Sequence, residues 1–232
     1  MTTHGPTSDD RIAWLVDGLH WGPFDVGTFI PDTFACYARV LHPVQQHAEG
    51  RAAPVRWTDV AHANNWSMSD VMQWMGGVVR DYGPNRAGLD AFGTAASREL
   101  PDALCQRLAG ILGRYTTTPN RVFAAIWNGY GNNGCPADHI GQLSLPWARE
   151  YYVYERAITS VQLRLGPGRL GLQSPNLWWP ADQAWCVATE IDFCWTYVGG
   201  SEECIAAIRH DAALETLPTH VHEGNFLELP SA

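Results

Sequence analysis

The chain has 232 residues, of which 46% are hydrophobic and 17% are charged, and its formal net charge at pH 7 is -9. This length and composition predict a folded globular protein and exclude a disordered chain. The acidic balance disfavours nucleic acid as a partner, because neutralising phosphates needs clustered Lys or Arg. It favours a cationic small molecule or a basic partner. All fifteen basic residues are arginine, which excludes Schiff-base and P-loop lysine chemistry.

The cysteine spacing and the hydropathy of the chain indicate in which cellular compartment the protein is expected. None of the six cysteines forms a CxxC pair, and their gaps do not match the spacing of zinc ligands. No apolar run is long enough to cross a membrane, and no charged stretch followed by an apolar one opens the chain. We therefore expect a soluble, reduced, cytoplasmic protein with no membrane partner, no metal and no cofactor.

The first half of the chain predicts two helices separated by a strand. Apolar residues recur at helical spacing in 9–19, and the apolar run 34–41 is followed by His42-Pro43, which ends a strand. In chain order we expect a disordered N-terminus at 1–8, a helix at 9–19, a strand at 34–41, a polar loop at 45–54, a helix at 69–79 and a long loop at 81–96.

The second half predicts more strand than helix, and the character of 158–165 stays open between the two. The expected elements are a helix at 101–115, strands at 121–127, 149–155 and 184–198, a short helix at 202–210 and a tail without period at 214–232. Strands and helices that follow no regular βαβ rhythm predict an α+β fold. We expect one domain over 9–232, with a central, mostly antiparallel sheet and flanking helices.

The stretch 174–201 carries the strongest pattern in the chain. Trp178 and Trp179 stand between two prolines, which predicts a loop in which one ring lines a cavity or an interface. From 184 to 198 large and small residues alternate, as they do along a strand. The small-residue face carries Glu190 and Asp192, which a strand would place about 7 Å apart on one side.

Carboxylates beside aromatic residues are the candidate catalytic groups. Apolar surroundings disfavour the charged form of a carboxylate and make it a better general base near neutral pH. Glu190 and Asp192 therefore have two interpretations, a catalytic pair or an ordinary outer strand face paired with Arg. Asp25 is either a third catalytic carboxylate or a turn residue that caps 27–28.

The remaining candidates would bind a substrate rather than react with it. An aromatic wall that faces carboxylates suits a cationic amine, and Arg can hold a sulfate or carboxylate group. His220 and His222 form a His-x-His motif, but in an irregular tail we expect two solvent-exposed imidazoles and no metal. The candidate substrate-binding residues are Trp178, Trp179, Arg39, Arg149 and Asp182.

Four segments together resemble a family of uncharacterised actinobacterial proteins. They are FACYARVLHP at 34–43, VRWTDVA at 55–61, TPNRVFAAIWNGYG at 118–131 and SPNLWWPADQAWCVATEID at 174–192. Some members look like accessory proteins of natural-product pathways, and one group is thought to serve aziridine formation as part of a two-component synthase. In that reaction an amine displaces a neighbouring sulfate ester.

The resemblance and the residues together give two functional hypotheses. The first is a small-molecule enzyme, or enzyme subunit, of secondary metabolism that uses a carboxylate base in an aromatic pocket. The resemblance implies ring-forming amine displacement as its chemistry, and possible assembly with a second protein subunit. The second is a non-catalytic binding protein, either an immunity protein of the SUKH type or the structural half of a heteromeric complex. It expects Trp178 and Trp179 to be covered by another protein and no enclosed pocket.

Overall fold

The computed structural model describes residues 10–22, 25–48, 51–69, 71–72, 99–130, 135–145, 149–165 and 172–224. The expected disordered N-terminus at 1–8 and the long loop at 81–96 lie outside these residues, as does most of the helix expected at 69–79. No helix within the described ranges has the length and apolar character needed to cross a bilayer.

The strands of the described residues are β1 (Cys36–Leu41), β2 (Val44–Ala48), β3 (Arg51–Val55), β4 (Val122–Trp127), β5 (Gly141–Leu145), β6 (Arg149–Arg156), β7 (Leu177–Pro180), β8 (Cys186–Ala188), β9 (Trp195–Gly200) and β10 (Thr216–Thr219). Eight of them form one antiparallel sheet at the centre of the fold, in the order β10-β1-β9-β8-β7-β4-β6-β5. The other two, β2 and β3, form a separate hairpin.

Helices cover both faces of this sheet. Those of the described residues are α1 (Asp10–Asp17), α2 (Trp57–Asn64), α3 (Asp102–Leu112) and α4 (Glu202–Arg209), with short 3-10 turns at Val26–Thr28, Asn128–Tyr130 and Ile158–Ser160. One core contains α1 and α2, and the other contains α3 and α4. Because both faces are covered, the middle strands are continuous apolar runs, as in VFAAIW of β4. The predicted α+β fold with a mostly antiparallel sheet is confirmed.

The single strand expected over 184–198 is wrong. It is a hairpin, in which β8 ends at Ala188 and β9 begins at Trp195, and Ala188 lies opposite Tyr197. Residues opposite each other in an antiparallel pair share a face, so Tyr197 lies on the α1 side with Ala188. Trp185 lies in the other core, with α3. The alternation of large and small residues over 184–198 therefore spans two antiparallel strands and the turn between them, not one strand.

Two further segments have more strand than the sequence indicates. The polar loop expected at 45–54 is a hairpin, in which Val44–Ala48 pairs with Arg51–Val55. The tail at 214–232 contains β10, which pairs with β1 at the edge of the sheet. Neither segment has the apolar run that marks an interior strand. Residues 158–165, left open by the sequence, form a 3-10 turn followed by a bridge at Leu163.

Candidate functional site

A narrow crevice opens where the hairpin loop after β8 meets β5 and β6. Its volume is about 20 Å³, and its walls include Thr28, Phe29, Leu145, Tyr151 and Glu190. A space of this size holds about one water molecule. It brings together the 3-10 turn at Val26–Thr28, strands β5 and β6, and one of the candidate carboxylates.

Arg149 joins the two candidate carboxylates at this crevice. Its Nε and Nη2 donate to Glu190 Oε1 at 3.2 and 2.9 Å, and Nη2 also donates to Asp192 Oδ2 at 2.8 Å. The side chain of Glu190 is only 9% exposed, whereas those of Arg149 and Asp192 are 24% and 31% exposed. The three residues form one cluster with one negative charge in excess when both carboxylates are ionised.

The backbone fixes the loop that carries these carboxylates. Thr189 N donates to Asn176 O at 2.6 Å, and Phe193 N donates to Glu190 O at 3.1 Å. The Asn176 side chain accepts from Trp127 N at 2.9 Å and donates to Thr189 O at 3.3 Å. These hydrogen bonds tie the loop that carries Glu190 to β4 and to the segment before β7.

Burial controls the ionisation of the cluster. Desolvation is the largest influence on Glu190 and raises its pKa above the ordinary value, although the charge and hydrogen bonds of Arg149 oppose the rise. The pKa of Arg149 is raised as well, since the attraction of Glu190 and Asp192 outweighs its own desolvation. Glu190 is thus a carboxylate with increased proton affinity that keeps a cation beside it.

At this cluster an aromatic ring and two carboxylates surround a cation that belongs to the chain itself, the guanidinium of Arg149. The guanidinium carbon of Arg149 lies 5.4 Å from the centre of the Trp127 ring, a cation–π distance. The same guanidinium donates hydrogen bonds to Glu190 and Asp192. A cationic amine would have to compete with this guanidinium, whereas an anionic group can approach its exposed part.

Trp178 and Trp179 are not in a loop, and neither is at a rim. They lie in β7, where neighbouring side chains point to opposite faces, and both are 0% exposed. Trp178 packs edge-on against Trp185 in one core, with the ring centres 5.3 Å apart. Trp179 packs against Phe123 in the other core, with the ring centres 5.9 Å apart. A strand buried on both faces places both rings in the chain's own core.

Arg39 contacts Glu223 and two aromatic rings. It is buried in β1, donates to Glu223 Oε1 at 3.2 Å and lies 5.4 Å from the rings of both Trp195 and Tyr197. These contacts join the central strands to the segment after β10, since Glu223 follows β10 in the chain. They give Arg39 a supporting role in the fold.

Asp182 caps a turn. Its carboxylate accepts from Thr116 Oγ1 at 2.8 Å and from Thr117 N and Oγ1 at 2.6 and 2.7 Å. Burial raises its pKa, but these hydrogen bonds outweigh burial and lower the pKa below the ordinary value. The contacts join the turn after β7 to the segment after α3.

Asp182→Ala is expected to lower the free energy of unfolding by about 1 kcal/mol at pH 7, because the hydrogen bonds that its carboxylate accepts from Thr116, Thr117 and Ala184 at an exposed site are lost. The folded pKa of Asp182 is depressed, so its contribution is present above the unfolded pKa and is lost as the pH falls through the folded pKa. Urea unfolding at pH 7 and at pH 3 measures both effects. An equal loss at the two pH values would contradict the assignment.

Asp25 caps the 3-10 turn at Val26–Thr28, as one interpretation expected, and it also contacts two histidines. Thr28 N donates to its Oδ1 at 3.1 Å. His20 Nδ1 lies 2.8 Å and His222 Nδ1 lies 3.8 Å from its Oδ2. Burial lowers the pKa of His20, but the hydrogen bonds and charges of Asp25 and Asp32 outweigh it, so the pKa is raised overall.

Sequence reasoning missed the buried polar chain behind the crevice. His42 Nε2 lies 2.8 Å from Thr196 Oγ1, which lies 2.7 Å from Thr189 Oγ1, and Thr189 lines the crevice. It also missed Asn176, which holds the loop, and His20. A polar residue within an apolar strand run, as Thr196 is in Trp-Thr-Tyr-Val, is the signal that points to such a chain.

Comparison with known proteins gives no relative: no family model, no curated protein and no solved structure matches this chain.

Proposed function

We propose that the protein is a small-molecule enzyme of actinobacterial secondary metabolism, in which Glu190 accepts a proton and Arg149 holds an anionic group. The observation that carries the proposal is a nearly buried carboxylate of raised pKa in direct contact with a partly exposed guanidinium. A general base near neutral pH needs the first property. Binding of a sulfate or carboxylate needs the second.

The reaction that uses both groups is the intramolecular displacement of a sulfate ester by a neighbouring amine. The amine nitrogen bonds to the carbon that carries the ester, the carbon–oxygen bond breaks, and sulfate leaves toward Arg149. Glu190 takes the proton of the resulting ammonium, and the product is an aziridine. The step needs no redox partner. The protein contributes by holding the two reacting groups in attack geometry and by accepting the proton.

The alternative proposal is a protein that binds such a molecule without converting it. The crevice of about 20 Å³ admits one water molecule and no substrate body, so in both proposals the body of the molecule lies outside it. In the catalytic proposal the substrate lies over the exposed part of Arg149, and its sulfate takes the place of Asp192 on Nη2. In the binding proposal no bond is broken there.

The test is sulfate release from 2-aminoethyl hydrogen sulfate, measured by ion chromatography. The wild-type protein is expected to release sulfate above the buffer rate, and Glu190→Gln to do so at least about a hundredfold more slowly. Glu150→Gln is the matched control, because Glu150 is an exposed carboxylate on β6 next to Arg149 that binds Asn128 Nδ2. Its rate should be unchanged.

Two outcomes contradict the catalytic proposal. Release at the buffer rate by the wild type, with binding of the probe detected calorimetrically, supports the binding protein instead. Equal rates for the wild type and Glu190→Gln would remove Glu190 from the chemistry.

A further inference from the structure

We propose that His20, Asp25 and His222 bind a divalent transition-metal ion, for which Zn²⁺ is the probe. This site is separate from the Arg149 crevice, and it does not depend on the function proposed there. Each of the three residues offers one donor atom, an imidazole nitrogen or a carboxylate oxygen, and these three atoms all lie within 4.8 Å of one another. Two imidazoles and one carboxylate are a ligand set of zinc and of non-haem iron sites.

The separations of the two imidazole nitrogens from the Asp25 oxygen are close to those of a metal site. Tetrahedral bonds of about 2.0–2.1 Å place neighbouring ligand atoms about 3.4 Å apart. His20 Nδ1 lies 2.8 Å from Asp25 Oδ2, and His222 Nδ1 lies 3.8 Å from the same oxygen. Shifts of about half an ångström bring these two separations to the tetrahedral value, and the exposed side chain of His222 is able to move toward the other two donors.

The outer contacts of these ligands are those that metal-binding residues have. His20 uses Nδ1 toward Asp25, and its Nε2 lies 3.3 Å from Asp32 Oδ2. A carboxylate on the far nitrogen of a histidine fixes the tautomer and the ring orientation of a metal ligand. The Asp25 carboxylate is oriented in turn, because its Oδ1 accepts from Thr28 N at 3.1 Å and from Thr28 Oγ1 at 3.3 Å.

The backbone brings the third ligand to the other two across almost 200 residues of sequence. Gly27 N donates to Val221 O at 2.8 Å, Val26 N donates to Glu223 O at 3.1 Å, and Asp25 forms a bridge with Gly224. His222 lies inside this pairing. His20 N donates to Gly27 O at 2.9 Å, and this hydrogen bond holds His20 beside the 3-10 turn that Asp25 caps.

Gly27 is required by the position of the His20 ring. A Cβ atom at residue 27 would lie 2.3 Å from His20 Nδ1, the proposed donor atom. Any side chain at this position would therefore displace the imidazole from Asp25. The absence of a side chain at Gly27 is therefore what leaves room for the His20 ring.

Charge and exposure point to a divalent ion with an open position. The carboxylates of Asp25 and Asp32 balance two positive charges when both imidazoles are neutral. Glu223, which follows His222, is engaged by Arg39 and by Thr219. The His222 side chain is 75% exposed, whereas that of Asp25 is 7% exposed. Three protein ligands with one side toward solvent leave a coordination position for water or a substrate atom.

The experiment is titration of the full chain with Zn²⁺ by isothermal titration calorimetry at pH 7.5, after treatment with a chelator. The wild type is expected to bind one Zn²⁺. His222→Ala should weaken this affinity at least tenfold without loss of fold, since the side chain is exposed. His220→Ala is the matched control, because it removes another exposed histidine two residues away, and its affinity should stay within twofold of the wild type.

Two further variants test the geometry. Asp32→Asn should weaken Zn²⁺ binding by about 10- to 100-fold, as the loss of an outer carboxylate does at other sites. Gly27→Ala should abolish it, and circular dichroism checks that both variants keep the fold. Mg²⁺, which prefers oxygen ligands, should give no heat.

The proposal is overturned by the absence of one-to-one Zn²⁺ binding in the wild type. It is also overturned if His222→Ala binds as tightly as the wild type, or if His220→Ala loses as much affinity as His222→Ala. In those cases the cluster is an ion pair between protonated His20 and the two aspartates.

Discussion

Trp178→Ala and Trp179→Ala are each expected to lower the free energy of unfolding by about 3–5 kcal/mol. Both rings are 0% exposed, and each truncation opens a cavity in a different core. The first removes the edge-on contact with Trp185, and the second removes contacts with Trp14 and Phe123. Urea unfolding followed by circular dichroism measures the loss.

Phenylalanine at the same positions separates ring volume from hydrogen bonding. Trp179 Nε1 donates to Arg11 O at 3.2 Å, whereas the described residues offer no acceptor within reach of Trp178 Nε1. Trp179→Phe should therefore cost more than Trp178→Phe, by about 1 kcal/mol. Trp21→Ala is the control for a Trp in a turn, because Trp21 is 51% exposed, and we expect a loss below about 1 kcal/mol. Losses of that size at Trp178 and Trp179 would contradict their place in the core.

Local patterns account for the elements that could be predicted from the sequence. The apolar run of β4 and the helical spacing of α3 are each contained in about ten residues, so the sequence placed Val122–Trp127 and Asp102–Leu112 within a few positions. The hairpin of β8 and β9 could not be recognised, because a period of two is the same in one strand and in two antiparallel ones. No Gly or Pro marks its reversal at Ile191–Asp192.

The candidate site was predicted as separate residues but not as a cluster. Glu190, Asp192 and Arg149 each stood out in sequence, yet their contacts span 41 and 43 residues and depend on the register of β6 against its neighbours. His20 and His222 are farther apart still. Contacts between residues so far apart in sequence are set by the topology of the sheet, so they cannot be predicted from a local sequence pattern.

Arg149→Met is expected to lower the free energy of unfolding by about 2–3 kcal/mol at pH 7.5. Removing one member of a buried ion pair leaves the other charge without compensation and costs about 3–5 kcal/mol when both are buried. Arg149 is 24% exposed, which reduces the effect, but the side chain of Glu190 is 9% exposed and stays in place. Methionine keeps most of the apolar stem that packs near Trp127.

The loss in Arg149→Met should depend on pH in a defined direction. Burial already raises the pKa of Glu190, and the positive charge of Arg149 opposes that rise, so the variant has a still higher folded pKa. The folded state then binds a proton that the unfolded state releases. Stability is therefore retained below the unfolded pKa of Glu190 and falls as the pH rises through the folded pKa. Urea unfolding at pH 4 and pH 7.5 should show a smaller loss at the lower pH.

Two variants decide whether the buried carboxylate is the cause. Arg149→Met combined with Glu190→Gln should recover most of the lost free energy at pH 7.5, because no buried charge remains. Arg156→Met is the matched control: Arg156 lies on the same strand and is 23% exposed, but its partner Asp138 is 63% exposed, so we expect a loss below about 1 kcal/mol. An equal loss in the two single variants, or a pH-independent loss in Arg149→Met, would show that the arginine acts through packing alone. Glu190 would then lack the burial that raises its pKa, and with it the property that the proposed base needs.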